Sequence, residues 1–406
     1  MQLIKLQLTN PLRGMPQLQL FLLAMAFLMP FVFSVWVALL NNFAVEKAAF
    51  TGAEIGLLQS IREIPGFLAF TAIYVLLFIK EQRFALLSLG LMSFGVAVTG
   101  FFPSEYGLYL TTLIMSVGFH YFETSQQSLT LQWLPKKDTA HFMGKSLAMK
   151  SFASLLAFGG IWLLMEQLSV SYQTIYLISG VLGLSVVLWL YFYFPMFEQP
   201  HAQHKRLILR KSYWLYYLLT FLSGARRQIF MVFAGFMMVE KFGYSVGQIS
   251  LLFGINYIFN LLFAARIGKW VGHIGERKAL TIEYVGLILV FTGYAFVDSA
   301  YLAAGLYVID HMFFALAIAI KTYLQKIADE KDLAATASVS FTINHIAAVV
   351  IPVLLGMLWI HSNTAVFLVG TGFAIGSLLC SRLIPDKPNQ TEVTRYFATP
   401  VLKSSG

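Results

Sequence analysis

Two stretches of this sequence hold side chains that could do chemistry. The first is FLSGARRQIFMVF, Phe221 to Phe233, where Arg226, Arg227 and Gln228 interrupt a run that is otherwise apolar or small. In the second, Ser116, His120, Glu123, Gln127 and Thr130 step by four, three, four and three residues. That spacing puts all five on one face of a helix, so a single water-filled space could serve them. The chemistry on offer is charge pairing, proton exchange at a carboxyl or imidazole, and capture of an anion by a guanidinium fork. For His120 and Glu123, three residues apart, a metal site is conceivable. No second ligand pair with metal spacing accompanies them, so the sequence assigns no metal.

The elements that carry these residues are membrane spans. The chain has 406 residues, 58% hydrophobic and 12% charged, with mean hydropathy +0.73; a soluble protein carries about a quarter charged residues. Apolar runs of about 20 residues, enough to cross a bilayer, follow one another from Gln17 almost to Pro385. The short alternating segments of a β-barrel are not the pattern here, and the fold class is an all-α polytopic membrane protein. A mid-bilayer charge costs about 2.5–3.5 kcal/mol on insertion scales, so adjacent arginines need a reason.

The net charge of +9 is a matter of placement and does not indicate nucleic acid. Lys80, Arg83, Lys136, Lys145, Arg210, Lys211, Lys269, Arg277, Lys278, Lys326 and Lys331 fall in alternate connections. The intervening connections hold few basic residues, chiefly Lys47 and Lys241. This is the positive-inside asymmetry, and it predicts a multi-pass plasma (inner) membrane protein with both termini cytoplasmic. Cys380 is the only cysteine, which rules out an internal disulfide. The N-terminus lacks the layout of a cleavable signal.

The chain is also a duplication. VEKAAFTGAEIGLLQSI begins at Val45 and VEKFGYSVGQISLLFGI at Val239, 194 residues apart. The same offset places Arg83, Ala85 and Leu86 on Arg277, Ala279 and Leu280, and Asp138, Ala140 and Ser146 on Asp332, Ala334 and Ser340. At about 30 residues per span and loop, each repeat holds six helices. The expected division is an N-terminal six-helix half over 1–195, a cytoplasmic linker over 196–211, a C-terminal six-helix half over 212–385 and a loose cytoplasmic tail over 386–406.

Two parallel six-helix halves are the layout of the major facilitator superfamily, and one loop resembles that family's motif. In GKWVGHIGERK, Gly268, Gly275 and Arg277 match the pattern G-x-x-x-D-x-x-G-R-[KR], whereas Gly272 replaces the aspartate and Glu276 the first basic residue. The equivalent first-half loop, YVLLFIKEQRF, keeps only Arg83. The resemblance implies twelve helices, a conformational latch at Gly268, Gly275 and Arg277, and a central cavity lined by helices one, four, seven and ten. The missing aspartate puts the latch in question, not the fold.

Along those helices the charges are not duplicated. Glu123 has Ala317 as its counterpart, Arg226 and Arg227 have Val32 and Phe33, Arg62 and Glu63 have Asn256 and Tyr257, and Lys150 has Asn344. Charges confined to one half suggest a site. The reading assigns substrate binding to Arg226, Arg227, Lys150, Gln127, Asn256, Asn344 and Lys321, and proton coupling to Glu123, Asp310, Glu63 and His120. One arginine of the pair is expected to face the cavity while its neighbour serves packing. Glu283 is read as helix packing.

No nucleotide-binding signature occurs. The expected function is therefore secondary active transport of a small, anionic organic solute by alternating access, coupled to protons. The expected partners are the solute, the proton and the lipid bilayer; no cofactor is assigned, and a monomer is expected. The alternatives are a polytopic membrane enzyme using His120, Glu123 and the Asp310–His311 pair, or a receptor on a transporter fold. The duplication argues against the first, and the want of a soluble output domain at either end argues against the second.

Overall fold

The computed structural model describes residues 17–197 apart from 77 and 135, then 209–328 and 333–395. Most of the expected linker, the first residues and the end of the tail lie outside the described residues. The described residues are helical, in twelve long helices or interrupted helix series. Those of the first half are α1 (Gln17–Ala48), α2 (Gly52–Phe67, carried on by a 3-10 turn at Ala69–Thr71 and by Ala72–Leu76), α3 (Glu81–Thr99), α4 (Glu105–Trp133), α5 (Lys136–Trp162, ending in a π-helical turn, Leu163–Gln167) and α6 (Tyr172–Tyr193). The second half begins with α7, which runs Trp214–Gln228, through a π-helical turn at Ile229–Ala234, to Gly235–Glu240. It continues with α8 (Val246–Ile274), α9 (Glu276–Phe296), α10 (Ala300–Phe314, a 3-10 turn at Ala315–Ala317, Ile318–Ile327), α11 (Leu333–His361) and α12 (Asn363–Ser381).

Among the described residues nine of these helices are long and apolar enough to cross a membrane. The three that fall short are α2, α4 and α7. They carry Arg62–Glu63, His120–Glu123 and Arg226–Arg227, so the polar residues are concentrated in the helices least suited to lipid. Large apolar side chains such as Phe192, Leu289 and Leu379 point outward, as lipid-facing positions should.

The repeat is built into the backbone. α2 starts with a capping box in which the Thr51 side chain accepts from the backbone and Glu54 returns the bond to the Thr51 amide. α8 starts with the same device, Ser245 and Gln248, at the same 194-residue offset. Such a box satisfies two otherwise orphaned amides and fixes the helix start, so both halves begin their second span in one way.

The halves meet mainly where α2 lies against α11 and α5 against α8. Between helices in lipid, close van der Waals approach drives association, and small residues permit it. Gly52, Gly56 and Gly356 serve that purpose. A Cβ on Gly56 would stand 2.3 Å from the Pro352 carbonyl oxygen, and one on Gly356 would stand 2.5 Å from that of Gly52. Further bonds join the halves nearby. Asn42 donates to the Tyr244 carbonyl at 2.7 Å, and Glu166 accepts from the Gly247 amide at 3.0 Å and from the Ser245 hydroxyl. All of these lie toward the face opposite the basic loops. On the basic face, Gln82 bonds to Pro195, Ser340 to Tyr216 and Lys326 to Glu276, each contact staying within one half. Among the described residues, these bonds between the halves thus gather on one face.

The start of the tail differs from expectation. Residues 386–395 fold back onto the second half: Arg277 pairs with Asp386, Tyr323 donates to the Val393 carbonyl at 2.6 Å, and the Arg395 amide donates to the Leu383 carbonyl at 2.8 Å. Val393 fills an apolar gap beside Tyr323 and Ile384. The polar composition of this segment concealed that one apolar anchor.

Candidate functional site

Arg226 and Arg227 diverge by about 100° around α7, and the consequences are opposite. Arg226 is fully buried inside the second half. Its Nη2 lies 3.2 Å from Glu283 Oε1, its Nη1 donates to Ser377, and its guanidinium sits 4.4 Å from the centre of the Tyr284 ring. It therefore ties α7 to α9 and α12. The substrate-binding role expected for Arg226 is corrected here: a guanidinium enclosed by Glu283, Ser377 and Tyr284 has no face open to a solute. Arg227 is exposed and makes no hydrogen bond or ion pair among the described residues, yet it lies within electrostatic reach of Glu123 on the other half.

Glu123 is where the two halves' charges converge. Half-buried on α4, it feels Lys150 of α5, His345 of α11, Arg227 of α7 and Glu63 of α2. Lys150 is half-buried, and Gln127, one turn further toward the basic face, is exposed. Ser116 and His120 continue the α4 row but are buried; Ser116 donates to the Arg62 carbonyl. The stripe is thus buried at Ser116 and His120 and again at Thr130, and more open between them at Glu123 and Gln127.

At the buried end Arg62 holds Glu63 with Nη2–Oε1 at 2.5 Å and Nε–Oε1 at 3.1 Å. The other oxygen of Glu63 lies 3.7 Å from His345 Nε2. The His120 and His345 rings meet edge to face at 5.2 Å. Helical spacing pairs His120 with Glu123; the packing instead groups it with Glu63 and His345.

The remaining candidates are dispersed. Asn344 is half-buried against Gly224 of α7, and Asn256 is buried on α8. Lys321 is exposed near the basic end of α10. Asp310 is fully buried in the second half, in the field of Arg226 and Glu283 and facing Tyr294, so it has no face open to a solute. In the loop between α8 and α9, Gly275 adopts φ +85°, a conformation glycine takes without strain. Gly268 lies within α8, and Arg277 is paired with Asp386. Glu276, which departs from the family pattern, is buried and pairs with Lys326 of α10 at 2.7 Å.

Sequence reasoning missed three residues: Glu283 as the partner of Arg226, His345 as a member of the buried cluster, and Glu166 as the bond between α5 and the start of α8. Only Glu166 left a signal, since a carboxylate suits a helix N-terminus, but its partner is far away in sequence.

Comparison with known proteins agrees with this architecture. Residues 216–403 match the family model of the Major Facilitator Superfamily. That match lies in the second half of the chain and its tail. The crystal structure of the nucleoside transporter NupG superposes with a TM-score of 0.69 at 17% identity, covering 90% of this chain and 98% of that one. A bacterial homologue of the human lysosomal transporter Spinster, inward-facing and occupied, gives 0.69 at 14% identity, covering 92% and 97%. A POT family transporter in complex with 5-aminolevulinic acid gives 0.71 at 13%, covering 91% and 96%. No curated protein sequence matches the chain. These likenesses show a shared fold over nine-tenths of this chain.

Proposed function

We propose that this chain carries a small anionic organic solute across the plasma (inner) membrane by alternating access, with proton coupling at Glu123. The basic face is taken as cytoplasmic, by the positive-inside rule, so the seam between the halves described above closes the outer side.

The observation that carries the reading is Arg227. An exposed guanidinium near the middle of a membrane helix, without an ion-pair partner among the described residues, is costly unless it meets water or an anion. Local pairing accounts for the other charges: Arg62 with Glu63, Arg226 with Glu283, Lys326 with Glu276. Among the candidate residues that are not fully enclosed, Lys150, Arg227 and Lys321 stand against Glu123, a cationic excess that suits an anion. A guanidinium binds a carboxylate or phosphate with two parallel hydrogen bonds, which lysine cannot reproduce. Proton coupling fits Glu123 because a carboxyl between Lys150 and Arg227 can alternate between a paired charge and a neutral acid as water access changes.

The test is a thermal-shift screen of anionic metabolites on the purified protein, followed by affinity measurement on Arg227→Lys. Loss of one charge-assisted contact costs about 1.5–3 kcal/mol, roughly tenfold to a hundredfold in affinity. Equal affinity in wild type and Arg227→Lys would remove Arg227 from the site.

A further inference from the structure

We propose that Glu63, His120 and His345 form a binding site for a divalent transition-metal ion of the zinc class, with ligands drawn from both halves of the molecule. One ligand atom from each residue lies within 4.8 Å of the other two, and all three residues are buried. A tetrahedral ion with bonds of about 2.0–2.1 Å holds its ligand atoms roughly 3.3 Å apart. The Glu63–His345 distance of 3.7 Å is already close to that, and small side-chain rotations bring in the third ligand.

Three further observations point to an ion. First, His345 Nδ1 lies 2.9 Å from the Phe341 carbonyl oxygen. A proton on Nδ1 serves that bond and leaves the lone pair on Nε2, the nitrogen nearest Glu63. Metal-binding histidines are held in this way, by a backbone carbonyl on the far nitrogen. Second, His120 Nδ1 is buried without a hydrogen-bond partner. Third, the rings have their space because residue 66 is glycine: a Cβ there would stand 2.2 Å from His345 Nε2 and 2.7 Å from His120 Cε1. Phe119 and Phe341 wall the pair.

Two histidines and one carboxylate form a common zinc set that leaves a fourth position open. Arg62 takes only Oε1 of Glu63, so Oε2 remains for the ion. The nearby guanidinium charge weakens binding. Glu63 and His120 belong to the first half and His345 to the second, so an ion binds best while α2, α4 and α11 are together. By linkage it favours that arrangement over any in which they separate. It thereby clamps the state sealed on one face. The clamp rests on the alternating-access reading, but the binding does not.

The experiment uses the full chain without a polyhistidine tag, in lipid nanodiscs, with cobalt(II) as the probe. Tetrahedral cobalt absorbs strongly in the visible, and zinc should bleach that absorption. We expect one cobalt per chain in wild type and no such absorption in His120→Gln, His345→Gln or Gly66→Ala. The last removes no ligand and only fills the space between the rings. His273→Gln with His361→Gln, both exposed, should leave the absorption intact and serves as a folded control. Absence of tetrahedral absorption in wild type, or its persistence in the His120 and His345 variants, overturns the site. For the clamp, spin labels on Lys80→Cys and Lys278→Cys in a Cys380→Ser background report the opening of the basic face. Zinc should narrow their distance distribution to its wide component. A distribution unchanged by saturating zinc, with cobalt binding intact, overturns the clamp alone.

Discussion

Arg226 and Arg227 look interchangeable in the sequence, and one step around α7 separates them. Arg226 joins Glu283, Ser377 and Tyr284 inside the second half. Removing one member of a fully buried ion pair costs about 3–5 kcal/mol, because the partner is left charged or must be neutralised. Arg226→Gln should therefore lower the melting temperature and the yield of folded protein, whereas Arg227→Gln should leave both near wild type. Equal melting temperatures for the two variants would contradict this division. Glu123 offers a separate test. Lys150, His345 and Arg227 surround it, and it is the residue to which we assign coupling. Glu123→Gln should abolish gradient-driven accumulation of substrate while sparing exchange of substrate for substrate. Accumulation at normal levels in that variant would place coupling elsewhere. The α4 row was legible in the sequence because helical spacing alone puts its members on one face. The buried cluster was not, since Glu63, His120 and His345 come from three helices, and only packing shows which way each ring turns.

At the scale of elements, α2 and α11 decide which face is sealed. Gly56 touches the Pro352 carbonyl and Gly356 touches Gly52, so the helices meet backbone to backbone. A branched side chain at either glycine would force them apart on that face. Gly56→Val should make the Val45–Gly52 segment and the nearby start of α8 more accessible to a water-soluble thiol reagent, read on single cysteines introduced there. Accessibility equal to that of the unmodified seam would show that the glycine contact does not hold the closure. Element boundaries were largely readable. The 194-residue offset fixes the start of α8 from that of α2, and the capping residues Thr51–Glu54 and Ser245–Gln248 recur at the same interval. The π-helical turn in α7 left no comparable trace, because it depends on how the helix is seated among its neighbours. The motif loop was half legible. Gly275 was recognisable for its turn, but the ion pairs of Glu276 with Lys326 and of Arg277 with Asp386 join it to segments that the motif does not include.

At the scale of the molecule, duplication supplied the scaffold, and the proposed site falls where the halves differ. Both halves keep six spans and the same capped entry to the second of them, yet Arg227, Glu123 and Lys150 have no charged counterparts. Under the proposed alternating access, the halves would rock about a site at their interface. The central claim is that this cavity moves an anion by using protons. Its most direct test is uptake of a labelled anionic ligand, identified by the thermal-shift screen, into liposomes containing the purified protein under an imposed pH gradient. The account predicts accumulation above the external concentration, abolished by a protonophore and strongly reduced in Arg227→Lys. Uptake that only equilibrates, or accumulation indifferent to both the protonophore and the Arg227 substitution, would contradict it.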